Sequence, residues 1–163
     1  MHKTILAAAA LTAFTANAIA ADSDFIERKS VSPSLAAKLV DACVARAEAL
    51  KAIAGCAVVD IAGVLVDFHG MGGQATFAET AILKAKTAAH WQRATSAIED
   101  DVNTKRNGAS VWIGDFPRSG GVPIIIDGQV AGAIGVGGGG NSEGIAKFAL
   151  EAVLGKPAQS AQR

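Results

Sequence analysis

The sequence has no tyrosine, two cysteines, two tryptophans and three histidines, and aromatic residues make up only 5% of its 163 residues. Without tyrosine, a phenolate cannot serve as an iron ligand. The 15 Lys+Arg and 15 Asp+Glu cancel. No Lys/Arg run stands out, so the electrostatic footprint of a nucleic-acid binder is missing. The cysteines fall in neither C-x-x-C nor C-x-x-C-H, which excludes a redox dithiol and a covalently attached c-type haem. No ligand cluster suggests structural zinc. No G-x-S-x-G elbow is present, and Ser110 and Ser119 have no identifiable His and acid partners. Asp60, Asp67, Asp115 and Asp127 lie in or beside expected hairpins, but spacing does not pair them as a glycosidase requires. Asp127 is accounted for by its turn. Half of the residues are hydrophobic and the net charge is zero, which excludes intrinsic disorder.

The first residues read as an address. Met1-His2-Lys3 is a short positive start, residues 5–14 are apolar or small, and Ala18-Ile19-Ala20 has the small-x-small form of a signal-peptidase site. Thr15 and Asn17 interrupt the stretch, so it would span a membrane poorly. The expectation is a cleaved signal peptide over residues 1–20, a single domain over residues 21–163, and a periplasmic or secreted protein. Cleavage removes His2 and leaves His69 and His90 as the only histidines. An exported chain with Cys43 and Cys56 invites a disulfide. If the first helix ends near Gly55, however, Cys43 lies ten residues before that end, a rise of about 15 Å. The strand that follows recovers only about 3 Å per residue. That exceeds the ~7 Å Cα limit for a bridge, so two separate buried thiols are expected.

Residues 21–32 read as a loose polar arm. Ser32-Pro33 starts a helix in which Leu35, Leu39, Cys43, Ala47 and Leu50 recur at helical spacing. Residues 56–61 and 64–69 flank Ala62-Gly63 and spell a hairpin. After a glycine-rich loop, residues 75–93 read as a helix with a stripe of Phe77, Ala78, Ala81, Ile82, Ala85, Ala88 and Ala89. A shorter helix follows from Thr95 or Ser96. Residues 121–126 and 129–136 flank Asp127-Gly128, a second hairpin signal. Asn141 or Ser142 opens a last helix with Ile145, Phe148, Ala149, Ala152 and Val153 inward, and residues 156–163 read as a frayed tail. The fold class is α+β: an antiparallel sheet of about five strands built from hairpins, flanked by helices.

Gly135, Gly137 and Gly140 match G-x-G-x-x-G. The preceding strand belongs to an antiparallel hairpin, no parallel strand follows, and no acid lies about twenty positions on, so dinucleotide binding is not supported. Backbone N–H groups of Gly138 and Gly139 before a helix start remain candidates for holding an anion. The alternative is a turn whose glycines serve positive φ and tight packing.

Ser119-Gly120-Gly121-Val122-Pro123-Ile124, Asp127-Gly128-Gln129-Val130 and Gly132-Ala133-Ile134-Gly135-Val136 together resemble the signature of the GlcG/HbpS-like haem-binding (haem-degrading) family. Lys84-Ala85-Lys86-Thr87-Ala88 is similar to that family's K-A-x-T-A segment, and the segment from Val58-Val59-Asp60 to Phe68 resembles its first hairpin. The resemblance runs from about Ser34 to Ala152. It implies an antiparallel sheet with helices, a homo-oligomer, and haem as cofactor, with haem handling, degradation or redox sensing as roles. Where the family commonly has R-M-D-G, this chain has Gly70-Met71-Gly72-Gly73, so a charged group that could meet a propionate is missing there.

Haem iron takes His, Met, Cys or Tyr as axial ligand. His69 and Met71 stand at a strand end and in a loop, where function often sits. His90 lies with Lys86 and Arg93 on a basic helix face that would attract propionates or would simply be solvated. The candidate cofactor-binding residues are therefore His69, Met71, His90, Lys86, Gly138 and Gly139, with His69 and His90 as metal ligands. Trp91 and Trp112 could add flat apolar surface or simply pack. The leading expectation is an exported protein that binds haem or another tetrapyrrole. A small enzyme acting on haem or an organic acid, and a ligand-free interaction protein, are the alternatives, and all three share one fold.

Overall fold

In the computed structural model, residues 26–105, 108, 113–138 and 140–155 are described. The expected leader, the tail, Ser110, Trp112 and Gly139 lie outside them. Ser32 Oγ accepts from Leu35 N at 3.3 Å, and Pro33 opens helix α1 (Pro33–Ala49), where a missing N–H costs nothing. The expected polar arm is pinned at its end: Val31 is buried and its N–H donates to Ala131 O at 3.0 Å. Strands β1 (Ala54–Asp60) and β2 (Leu65–Gly70) form the first hairpin. Asp60 shapes its turn, since one carboxylate oxygen accepts from Ala62 N and Val64 N, both at 2.9 Å. Helix α2 (Ala75–Trp91) stops where Gln92 turns left-handed, and α3 (Thr95–Lys105) follows. Strands β3 (Gly121–Ile126) and β4 (Gln129–Gly138) meet at Asp127-Gly128. Both turn residues have positive φ, 49° and 76°, as a tight hairpin twist requires. Asn141 caps α4 (Ser142–Leu154) by accepting from Gly144 N at 3.1 Å. Among the described residues no helix is long and apolar enough to cross a membrane.

The sheet order is β2-β1-β4-β3, antiparallel throughout. Four strands replace the expected five, because each hairpin supplies two and the described residues between α3 and β3 form none. Strand β4 shows how the layers are divided, since its side chains alternate between the two faces. Ile134 and Val136 join the main core with Leu39, Cys43 and Ile145, beneath α1 and α4. Ala133, Gly135 and Gly137 face α2. A Cβ on Gly135 would sit 2.1 Å from Ala81 O, one on Gly137 would sit 2.0 Å from Phe77 O, and one on Gly121 would sit 2.2 Å from Lys84 O. The helix backbone therefore rests directly on the sheet, and the glycine-rich block is a packing surface.

Three sequence expectations are corrected here. Cys43 and Cys56 form a disulfide, with Cα atoms 6.2 Å apart. Helix α1 ends at Ala49, not near Gly55, so the ascent after Cys43 is shorter than expected. The segment after Leu50 gives the chain room to return, and both cysteines belong to the same core layer. In α2, Lys84 and Thr87 are buried beside the alanines, while Phe77, Ala78 and Ile82 are only half-buried. In α4, Phe148 is 40% exposed, and the Arg46 guanidinium covers its ring at 4.6 Å from the centroid.

Gly135→Ala should be destabilising by about 3 kcal/mol, because the overlap is with helix backbone that cannot rotate away. Urea unfolding of the two proteins checks this. Equal midpoints would mean that α2 does not rest on the sheet at Gly135.

Candidate functional site

The alanine face of α2 is buried against the glycines of the sheet, so residues on its other face reach solvent. Lys86 and His90 are one turn apart and exposed. They border a cleft of about 500 Å³ between the end of α2 and the β1–β2 turn, where Arg28, Ile61, Ala62 and Asp115 also contribute walls. His90 Nδ1 lies 3.0 Å from Asp115 Oδ2. Trp91 Nε1 donates to the same oxygen at 2.5 Å. The loop that carries Asp115 is tied down by Phe116 N donating to Thr87 Oγ1 at 2.8 Å. Arg93, expected on the same basic face, is held elsewhere: its guanidinium reaches Asp101 at 2.9 Å. Hydrogen bonds from Lys105 and Arg93 hold the Asp101 carboxyl below its ordinary range.

The other candidate ligands lie at the opposite end of the first hairpin. His69 is paired with Cys56, next to the open end of β1 and β2, and is exposed. Met71 is half-buried against the core under α1, and its N–H donates to Ala54 O at 3.0 Å. Fifteen residues of α2, a rise of about 22 Å, separate its start beside that loop from His90. The fold thus brings Lys86 and His90 together and sets His69 and Met71 apart from them. Gly138 lies under the Phe77 ring, and its carbonyl accepts from Ser142 Oγ. The disulfide removes both thiols as metal ligands. Asp67 accepts from Phe68 N at 2.8 Å, so it is engaged in its own strand.

Sequence reasoning missed Lys84. It is 8% exposed, and its Nζ donates to Val136 O at 3.0 Å. Burial pushes its pKa down, the Arg118 cation adds to that, and Glu99 opposes both. Glu99 accepts from Arg118 and, at 2.8 Å, from Ser119 N. Ser119 Oγ lies 2.9 Å from Glu143, which Lys147 approaches at 2.6 Å. Burial works to raise the Glu143 pKa, but the hydrogen bonds from Lys147, Ser96 and Ser119 together outweigh it and the net shift is downward. Hydrogen bonds thus link α3, the segment before β3 and α4 in one polar network beside the buried Lys84. One signal was available: Lys84 falls three residues after Ala81 and four before Ala88, on the alanine stripe itself. A second hollow of about 380 Å³, between β3 and α4, is mainly apolar and includes Val122, Ile125 and Leu150 in its walls. Among the described residues, no three His, Cys, Asp or Glu side chains gather into a metal cage.

A search of curated proteins finds no match. Solved structures do match. HbpS is 28% identical with a TM-score of 0.77, covering 85% of this chain and 99% of its own. A double mutant of Streptomyces reticuli HbpS is 26% identical with a TM-score of 0.76, covering 93% and 100%. The protein of a PduOC:heme complex is 25% identical with a TM-score of 0.70, covering 76% and 95%. The family model described as haem degrading protein HbpS-like matches residues 31–153. With that match spanning most of the sequence and the same fold in these structures, the chain belongs to the HbpS-like family.

Proposed function

We propose that this protein binds haem, or a related metal tetrapyrrole, in the cleft beside the C-terminal end of α2. The observation that carries the reading is the exposed His90 imidazole, backed by Asp115 and flanked in one cleft by Lys86 and Arg28. A bare metal ion needs several protein ligands, and no such cage is found among the described residues. Haem iron is already held by its macrocycle and asks the protein for an axial ligand. A single well-placed histidine fits that demand, and Lys86 and Arg28 fit the carboxylates of the propionates. The haem-complex relative and the family description support the same ligand class. Iron held here would supply redox chemistry. The chain's own part is to bind, orient and neutralise the macrocycle.

The test is a haemin titration followed by absorption spectroscopy. Wild type should show a saturable Soret shift, and His90→Ala should lose it or move the band. Lys86→Ala should weaken binding by about fivefold, the scale of one exposed ion pair. His69→Ala should match wild type. A Soret shift lost in His69→Ala and kept in His90→Ala would contradict the assignment. Haem loss no faster than in a protein-free control would separate holding from degradation.

Export belongs to the same proposal. The leader pattern in residues 1–20 supports it, as does the Cys43–Cys56 bridge, since such bridges persist in oxidising compartments. Protein expressed from the whole sequence in a Gram-negative host and recovered from the periplasm should begin at Ala21 and show no free thiol. Retention in the cytoplasm with residues 1–20 attached would contradict export.

A further inference from the structure

The orientation of His90 is set from behind the ring. A carboxylate oxygen accepts and an indole N–H donates. Asp115 Oδ2 accepts from Trp91 Nε1–H and stands 3.0 Å from His90 Nδ1, close enough to favour the ring proton on that nitrogen. In a neutral imidazole that assignment leaves the lone pair on Nε2. The side chain of Asp115 is 10% exposed and that of His90 is 57% exposed, so the carboxylate is withdrawn while the ring stands in the open. Asp115 is braced as well. Its neighbour Phe116 donates to Thr87 Oγ1, and Thr87 is fully buried and gives its own proton to Leu83 O at 2.8 Å. Thr87, His90 and Trp91 all belong to α2, so loop and ring are referred to one rigid element. A loop tie alone needs no charge, because a neutral amide oxygen would accept both protons. Burying a carboxylate is more demanding than burying an amide. Behind a metal-ligating histidine, a carboxylate fixes the ring's orientation and strengthens it as a ligand.

We propose that Asp115, held by Trp91, is a positioning residue that fixes His90 as the Nδ1–H tautomer and presents a strengthened Nε2 donor to a metal centre in the cleft. This deepens the haem reading and rests on it only for the identity of that centre.

The experiment has two arms. In the first, ring-nitrogen NMR of the ligand-free mature protein, at a pH where the ring is neutral, reports the tautomer, with His90→Ala assigning the signals. Wild type should show Nδ1–H at His90. Asp115→Ala should move it to the Nε2–H form that a neutral histidine side chain prefers in water, and Asp115→Asn should keep Nδ1–H. In the second arm, haemin is added. Asp115→Asn should bind with about tenfold lower affinity and a raised ferric/ferrous midpoint potential, while its Soret band stays that of a His90 complex. An unchanged tautomer in Asp115→Ala, or a wild-type potential in Asp115→Asn, overturns the proposal. If wild type takes up no haemin, the haem reading fails, and the tautomer arm alone then decides for or against the positioning role.

Discussion

Direct contact between the α2 backbone and a glycine face of the sheet is the constraint on which the rest of this structure depends. Gly135 and Gly137 on β4, Gly121 on β3 and Gly55 on β1 leave no room for side chains beneath the helix. Ala81, Ala85, Ala88 and Ala89 keep the helix side of that contact equally thin. Close packing of this kind replaces a bulky core on one side of the sheet, which is how a chain with 5% aromatics fills a layered domain. The larger apolar residues go to the other side, where Leu39, Ile134 and Ile145 pack with the disulfide.

A helix pressed this closely has a fixed rotation about its axis. That rotation carries Lys84 inward to the Val136 carbonyl and turns Lys86 and His90 outward. It also sets Trp91 and Thr87 where they hold the Asp115 segment. Site and scaffold thus share one cause. The polar network around Glu99 and Glu143 joins α3 and α4 through the segment before β3.

Local chemistry made the elements legible in the sequence. Ser32-Pro33, Asp127-Gly128 and Asn141 each act within a few residues, and each starts or turns the chain where expected. Long-range relations were harder to read. The disulfide was missed because it depended on where α1 stops, and a shift of a few residues there changes the Cys43–Cys56 distance decisively. The glycine block could be rejected as a dinucleotide site, but its role beneath α2 appears only once β4 lies across that helix. His90 and Lys86 could be paired from their spacing of four. Asp115 could not join them on paper, because twenty-four residues separate it from Trp91 and only the fold brings the two together. His69 was attractive as a loop histidine, yet nothing in the sequence told which end of the hairpin faces the basic helix end.

The central claim is the place of the ligand: the cleft at the end of α2, with His90 next to the metal. Crystals of the haemin complex measured at the iron absorption edge test it most directly, because anomalous scattering locates the iron independently of the surrounding density. The account predicts one strong peak within bonding distance of His90 Nε2, between α2 and the β1–β2 turn. A peak beside His69 or Met71, at the opposite end of that hairpin, would contradict it.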